Sequence, residues 1–348
     1  MMRTSPRVTA LLATVLFSSA DALHIAITGT SQGIGLDAAK RLIRDGHTVY
    51  HANRNSARSA EAAQQAGGGV PMVCDLASLD SVRAFADELS TKPLDVLCLN
   101  AGIAPSTKAE APETTADGFE SCIGTNHLGH FLLANLLAPQ VKRMVVTASS
   151  VHDPEQPGGA VGGKGGATLG DLSGLGPLVA GGPTMVDGAI EYDGSKVYKD
   201  SKLCNVLFCR EAKKRFPEID VRSLNPGFIP TSGLFRAPRE DNFFGATAFA
   251  FFAGLAGFAV RNRRPSRRRR GGGVDRFATQ VPIDVGGERL AYVATSEDVP
   301  RGAYLSAETG SKAATYAEGF DDGLISPEGQ NDELAARLWD RSRELVNI

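Results

Sequence analysis

The sequence has little net charge and no cysteine arrangement typical of a metal centre. Its 348 residues include 37 Lys and Arg and 39 Asp and Glu, a formal net charge of −2. This near balance gives no global reason to expect a nucleic acid or an anionic membrane as a partner. The five cysteines are an odd number and show no C-x-x-C spacing: Cys74, Cys98, Cys122, Cys204 and Cys209. We therefore expect no bound metal, no nucleic-acid partner and cysteines that act as small buried apolar side chains.

The N-terminus has the layout of a secretory signal. Arg3 and Arg7 precede the apolar run from Val8 to Phe17, and Ala20-Asp21-Ala22 follows as an A-x-A cleavage pattern. Residues 1–22 are interpreted as a signal peptide that leads into the secretory route, with an uncleaved apolar anchor or a mis-assigned start as alternatives. That route serves the endoplasmic reticulum and also plastids of secondary origin, so the compartment stays open.

Short apolar runs alternate with amphipathic stretches along residues 23–348. The predicted strands are His24–Thr28, Thr48–His51, Val70–Cys74, Leu94–Leu99, Arg143–Thr147, Val221–Leu224 and Ala303–Ser306. The predicted helices are Leu36–Arg44, Leu79–Leu89, Gly118–Leu137, Ser195–Phe216, Gly287–Ala294 and one from about Asn331. Alternation with nearly continuous apolar strands predicts an α/β, Rossmann-type, doubly wound parallel sheet in a single domain.

Two insertions interrupt this pattern. Residues 152–190 are rich in glycine, a composition that suits neither a helix nor a strand interior. Residues 237–275 contain the uncharged run Phe243 to Val260 and an arginine cluster that ends at Arg270. Three interpretations of the second insertion stay open: contact of residues 243–270 with a membrane surface, an apolar flap over the active site, or a disordered segment.

A glycine-rich turn stands where the first strand passes into the first helix. The run Thr28-Gly29-Thr30-Ser31-Gln32-Gly33-Ile34-Gly35 allows close approach of the backbone to a pyrophosphate, which the helix N-terminus then favours. Further candidates follow the next strands. The cofactor-binding residues predicted in this way are Gly29, Ser31, Gln32, Gly33, Ile34, Gly35, Arg54, Asp75, Leu76, Asn100, Ala101 and Gly102.

The end of strand two indicates which nicotinamide cofactor is bound. A carboxylate there would accept the ribose 2′-hydroxyl of NAD, whereas this chain has His51-Ala52-Asn53-Arg54. A guanidinium suits a 2′-phosphate, so NADPH is favoured. The alternative is that Arg54 is a solvated surface charge. Asp75, at the end of strand three, is placed to bond the adenine edge.

Tyr198 and Lys202 form the candidate chemical centre. They are four residues apart on a predicted helix and so share one face. An adjacent ammonium is expected to lower the pKa of the tyrosine hydroxyl, which then donates a proton during reduction. Ser150, which follows strand five, is expected to polarise the substrate oxygen, and the Asn126 amide to hold a water beside Lys202. His127 and His130 are expected to be packing residues.

Together these motifs resemble the short-chain dehydrogenase/reductase family over residues 24–306. The resemblance implies a sheet of seven parallel strands and the catalytic tetrad Asn126, Ser150, Tyr198 and Lys202. It also implies that Lys202 bonds the nicotinamide ribose, beside Tyr198, and that Pro226 and Gly227 border the nicotinamide. Residues 23–348 would then form one NADP-binding domain.

Finer motifs are similar to one branch of that family, the light-dependent protochlorophyllide reductases. The run Tyr198-Lys199-Asp200-Ser201-Lys202-Leu203-Cys204-Asn205 is nearly its signature, and Gly124-Thr125-Asn126-His127-Leu128-Gly129-His130-Phe131 is also similar. The resemblance implies light-driven reduction of the ring-D double bond of protochlorophyllide, a step of chlorophyll biosynthesis, with hydride from NADPH.

One position departs from that branch. The branch usually carries Tyr-Pro-Gly-Cys after strand six, where this chain has Asn225-Pro226-Gly227-Phe228. A light-independent, retinol-dehydrogenase-like reductase of a lipophilic carbonyl or alcohol is the first alternative. A non-catalytic NADPH-binding protein is the second. Both enzymatic interpretations imply a large apolar substrate, and the oligomeric state stays open.

Overall fold

The computed structural model describes residues 22–107, 109–156, 158–160, 166–235 and 280–348. The predicted N-terminal signal, apart from Ala22, and the predicted insertion at 237–275 lie outside these residues. The predicted membrane contact of residues 243–270 is therefore also outside them. In the described chain, no helix is both long enough and apolar enough to cross a membrane.

The described chain is organised around one sheet. Its strands are β1 (His24–Thr28), β2 (Thr48–Asn53), β3 (Val70–Val73), β4 (Val96–Leu99), β5 (Arg143–Thr147), β6 (Asp220–Leu224), β7 (Tyr304–Ser306) and β8 (Asp321–Asp322). The spatial order is β3-β2-β1-β4-β5-β6-β7-β8. The order reverses between β1 and β4, which makes a crevice at the carboxyl ends of these strands.

The predicted parallel sheet is confirmed, and an eighth strand adds to it. Strands β1 to β7 pair in parallel, whereas the two-residue β8 pairs antiparallel with β7. Asp321 and Asp322 are exposed at this edge. Such a short, acidic segment has no apolar alternation, so the sequence pattern does not reveal it.

Seven helices of eight or more residues lie in the described ranges. They are α1 (Gly33–Arg44), α2 (Ser56–Ala66), α3 (Leu79–Ser90), α4 (Ser121–Ile123, Gly124–Leu128 and Gly129–Leu137), α5 (Gly194–Arg215), α6 (Ile283–Thr295) and α7 (Asp332–Leu345). The middle part of α4, Gly124–Leu128, is a π-helical turn. Helix α2 is not in the predicted set because its alanines and polar residues show little apolar periodicity.

Both faces of the sheet are covered. One core contains Leu97, Phe131 and Trp339 and joins the sheet to α3, α4, α5 and α7. The other contains Ile27 and Leu290 and joins it to α1 and α6. All five cysteines are buried and unbridged, which confirms the interpretation of them as small core side chains.

The described part of the glycine-rich insertion consists mainly of turns and bends, with the end of a 3₁₀ turn at His152 and an isolated β-bridge between Pro177 and Phe119. It is nevertheless held in place by the flanking helices. Asp200 of α5 accepts a hydrogen bond from the Thr168 amide at 3.0 Å, and Lys196 pairs with Asp187 at 3.0 Å and with Asp200 at 2.6 Å. The Arg341 side chain of α7 donates to the Leu175 carbonyl at 3.2 Å. The segment is therefore tied to the helix that carries Tyr198.

Candidate active site

The turn between β1 and α1 requires glycine at two positions. Gly29 has a φ of +76°, and a Cβ there would lie 2.9 Å from the Cα of Ala101. A Cβ on Gly35 would lie 2.3 Å from the Gly29 carbonyl oxygen and 2.7 Å from Nδ2 of Asn100. No side-chain hydrogen bond caps the amino end of α1 at Gln32, and its first turn has no acidic residue. These backbone groups fit a pyrophosphate.

The carboxyl end of β2 contacts this turn through Asn53, and the next residue, Arg54, places a guanidinium at the surface. The Asn53 side chain accepts a hydrogen bond from the Ser31 amide at 3.0 Å and donates to Thr30 at 2.9 Å. Arg54 is exposed and makes no ion pair within the described ranges. An exposed guanidinium without a carboxylate partner fits a 2′-phosphate.

Asp75 and Leu76 follow β3, and their side chains have different surroundings. Asp75 is half-buried, and its Oδ1 accepts a hydrogen bond from the Ala77 amide at 3.1 Å. Leu76 is buried in the core, and its carbonyl oxygen would lie 2.4 Å from a Cβ on Gly129. The Leu76 side chain is therefore committed to packing, which leaves Asp75 as the polar group of the pair.

Three strand ends are joined by the side chains of Thr28, Asn100 and Thr147. The Asn100 amide nitrogen Nδ2 donates to the Thr28 carbonyl at 2.9 Å, and the Asn100 and Ala101 backbone amides donate to Thr28 Oγ1 at 2.9 and 3.0 Å. Thr147 Oγ1 donates to Asn100 Oδ1 at 3.2 Å. This network fixes the carboxyl ends of β1, β4 and β5, where Ala101 and Gly102 form part of the crevice.

Tyr198 and Lys202 lie one turn apart on α5, as predicted. Asp193 caps this helix by accepting hydrogen bonds from the Ser195 and Lys196 amides at 2.9 and 3.0 Å. The Lys202 ammonium donates to the Thr147 carbonyl at 2.9 Å and lies over the Tyr198 ring, 5.8 Å from its centroid. Through Thr147, the pair is connected to the network of strand ends.

The electrostatics of this pair differ from the sequence expectation. Burial raises the pKa of Tyr198 well above its usual value, and Lys202 does not offset this effect. Burial also lowers the pKa of Lys202 to about 8. The reason is that desolvation disfavours the charged form of both groups. Tyr198 therefore stays protonated at neutral pH, which is the form that a proton donor needs.

Asn126 lies in the π-helical turn of α4, and its amide is already engaged. Its Oδ1 accepts a hydrogen bond from the Ile103 backbone amide at 2.8 Å, while its Nδ2 donates to the Ile103 carbonyl at 2.9 Å and to Ser201 at 3.0 Å. A Cβ on Gly102 would lie 3.3 Å from Asn126 Oδ1 and 3.8 Å from Lys202 Nζ. The side chain thus holds the chain after β4 beside Lys202, and its binding of a water stays a prediction.

Ser150 begins a short 3₁₀ turn, Ser150–His152, directly after β5. Its hydroxyl is half-buried and makes no hydrogen bond with the described residues, whereas Ser149 Oγ accepts one from the Val151 amide at 3.4 Å. The turn packs against α5. Of the two serines, Ser150 is therefore the one whose hydroxyl has no hydrogen-bond partner among the described residues.

The segment after β6 carries the last of the predicted cofactor residues. Gly227 has a φ of +90°, and its amide donates to Asn225 Oδ1 at 3.2 Å. The Pro226 carbonyl accepts a hydrogen bond from Arg289 Nη1 at 2.9 Å. Phe228 is half-buried where the similar branch has a cysteine.

The two histidines of α4 are packing residues, as expected. His127 Nε2 lies 2.8 Å from Ser342 of α7, and His130 Nε2 lies 2.9 Å from Thr28 Oγ1. Burial lowers the pKa of His127 to about 3 and that of His130 to about 4, so both rings are neutral at pH 7. Because the Asn126 carbonyl can only accept, His130 donates to it from Nδ1 at 3.1 Å.

Sequence reasoning missed three residues that support the site. Ser201 Oγ donates to the Tyr198 carbonyl at 2.7 Å, and Cys122 Sγ lies 3.6 Å from Ser201 Oγ. Thr147 connects Lys202 to Asn100. The position of Thr147 at the end of strand five was a usable signal, and so was that of Ser201 inside the Tyr198–Lys202 motif. Nothing in the sequence places Cys122 near them.

The fold and this set of residues define a class, the dinucleotide-dependent oxidoreductases. Residues 23–160 match the family model described as short chain dehydrogenase. The chain is 44% identical to a chloroplastic protochlorophyllide reductase of Daucus carota and 37% identical to that of Cucumis sativus. Each match covers 93% of this chain and 78% of the relative. The chain belongs to the short-chain dehydrogenase/reductase family, and it is an NADPH-dependent enzyme.

A solved structure is also similar along nearly the whole chain. The crystal structure of an uncharacterized protein from Mycobacterium Paratuberculosis has a TM-score of 0.62 and 26% identity, and the match covers 93% of each chain. This likeness agrees with the single Rossmann-type domain.

Proposed function

We propose that this enzyme reduces protochlorophyllide to chlorophyllide with NADPH when the pigment absorbs light. The observation that carries the proposal is the 36–44% identity over 93% of the chain to proteins named protochlorophyllide reductase. The motif from Tyr198 to Asn205, which resembles the signature of that branch, lies on α5 at the chemical centre.

The cofactor site is proposed to lie in the crevice at the carboxyl ends of β1 and β4. Gly29 and Gly35 leave room for the pyrophosphate at the amino end of α1, and Arg54 is proposed to pair with the 2′-phosphate. Pro226 and Gly227 are proposed to border the nicotinamide. When bound there, NADPH supplies the hydride.

The proton is proposed to come from Tyr198. Its phenol stays protonated because burial raises its pKa, so it can donate to the carbon that does not receive the hydride. Lys202 is anchored on Thr147 at 2.9 Å and is proposed to hold the cofactor ribose while it stabilises the phenolate that remains. Ser150 is proposed to bond a polar group of the substrate, and Asn126 holds the loop after β4.

An assay in light and in darkness distinguishes light-dependent pigment reduction from a light-independent reductase activity. Phe228 in place of the cysteine of the similar branch is the observation that favours a light-independent reductase of a lipophilic carbonyl. Purified protein with NADPH and protochlorophyllide is expected to form chlorophyllide only after a flash, as followed by the red absorption band of the product. Product in darkness, or none after repeated flashes, would contradict the proposal.

We also propose that the protein works in a plastid, because the similar plant proteins are named chloroplastic. These names give no support to the endoplasmic reticulum, and the secretory route stays a prediction. Fusion of residues 1–60 to a fluorescent protein would test it in cells with secondary plastids. Fluorescence in the endoplasmic reticulum alone would contradict a plastid location. Membrane-surface contact of residues 243–270 stays a hypothesis.

A further inference from the structure

Arg289 of α6 is a buried cation that has no role in the proposed chemistry. Only 1% of its surface is exposed. No carboxylate pairs with it within the described ranges, and the neighbouring Glu288 pairs instead with Arg41 at 3.3 Å. A buried charge without a counter-charge is unfavourable and calls for an explanation.

Three backbone carbonyls hold the guanidinium in one orientation. Its Nη1 donates to Pro226 at 2.9 Å, its Nε to Ala313 at 2.8 Å and its Nη2 to Ser311 at 2.9 Å. It also lies over the Phe320 ring, 4.9 Å from the centroid. Arg289 therefore bridges the segments that follow β6 and β7.

The charge lies next to the Pro226–Gly227 turn, which is proposed to border the nicotinamide. A Cβ built on Gly227 would lie 3.0 Å from Arg289 Nη1, so the charge is in contact with the backbone of this turn. Burial lowers the pKa of Arg289 only to about 10, and the group keeps its charge at neutral pH.

We propose that Arg289 is a positioning residue whose charge makes the site favour reduced over oxidised nicotinamide. The oxidised ring carries a positive charge and the reduced ring does not, so a fixed cation next to the turn raises the free energy of the oxidised form alone. The phosphates are common to both forms, and their attraction to the cation cancels in the comparison. The site would thereby release the spent cofactor and take up NADPH. The inference rests on the proposed placement of the nicotinamide.

The test compares the dissociation constants of NADPH and NADP⁺ in darkness without pigment, by cofactor fluorescence and calorimetry. In Arg289→Met, the ratio of the NADP⁺ constant to the NADPH constant is expected to fall about tenfold. In Arg289→Lys, which keeps the charge, the ratio is expected to stay within about twofold of the wild-type ratio, even if both constants rise. Arg301→Met is the control, because it removes an exposed arginine that bonds Pro217, before the amino end of β6.

A purely structural role would weaken both cofactors equally in Arg289→Met, and an unchanged ratio would overturn the inference. If Arg289→Met does not fold, Arg289→Gln is neutral and can still donate hydrogen bonds, and its ratio is compared with that of Arg289→Lys. Equal ratios of the NADP⁺ and NADPH constants in Arg289→Gln and Arg289→Lys would also overturn the inference. Failure of the wild type to bind either nucleotide would refute the cofactor site itself. If the ratios of dissociation constants are as expected but the wild type does not reduce the pigment, only the proposed substrate is refuted.

Discussion

Substitution of Gly35 by alanine adds one carbon to the glycine-rich turn between β1 and α1. It therefore tests whether this turn binds the cofactor. Gly35 lies in a helix and has no unusual φ, so alanine causes no backbone strain there and the unfavourable effect of the change is steric. The new Cβ would lie 2.3 Å from the Gly29 carbonyl oxygen and 2.7 Å from Asn100 Nδ2. Both contacts are far inside van der Waals distance, and the first is with backbone. The turn between β1 and α1 must therefore shift.

The expected magnitudes follow from this overlap. Overpacking of this kind lowers the free energy of unfolding by about 1–3 kcal/mol. A chain of this size should then lose roughly 1–4 °C in Tm. If the shift removes one hydrogen bond to a charged pyrophosphate, worth about 1.5–3 kcal/mol, NADPH binding should weaken roughly 10- to 100-fold.

Fluorescence titration with NADPH and a thermal melt measure the two effects. Gly176→Ala is the matched control, because its Cβ would meet only the Arg341 guanidinium, at an ordinary 3.5 Å. The control is expected to leave NADPH binding unchanged. A Gly35→Ala protein with a lowered Tm but an unchanged Kd for NADPH would refute the placement of the pyrophosphate at this turn.

Three further predictions concern the chemistry and the choice of cofactor. Tyr198→Phe is expected to slow turnover about 10²- to 10⁴-fold, with an unchanged Kd for NADPH, and wild-type rates would refute its role. Arg54→Ala is expected to weaken NADPH and leave NADH binding as it was; equal losses for both would show that Arg54 does not read the 2′-phosphate. Because burial lowers the pKa of Lys202 to about 8, the ammonium is lost as pH rises through that value. Turnover should fall between pH 7 and 9, and a flat pH profile would contradict a reaction that needs the Lys202 ammonium at a pKa of about 8.

Much of the fold was predictable because its signals are local. The apolar strand His24–Thr28 followed by Gly29, Gly33 and Gly35 defines the first βα unit, and the structure reproduces it. The spacing of Tyr198 and Lys202 places them on one helical face. Neither prediction needs a contact between distant parts of the chain.

The parts that were missed depend on long-range contacts or on burial. The carbonyl of Thr147 anchors Lys202 from a position 55 residues away. The side chain of Asn126 turns to Ile103, and the π-helical turn that carries it has no sequence signature. The direction of the Tyr198 pKa shift depends on how deeply the phenol is desolvated, which spacing alone does not reveal. The sequence around Arg289 does not indicate its burial, which depends on contacts with the segments that follow β6 and β7.

The most direct test follows the hydride itself. Protein, protochlorophyllide and NADPH deuterated at C4 are flashed in ordinary water, and the product is analysed by mass spectrometry. We expect chlorophyllide that carries one deuterium from the cofactor and one hydrogen from solvent, in the wild type and at a much lower rate in Tyr198→Phe. Chlorophyllide without deuterium would contradict hydride transfer from NADPH at this site.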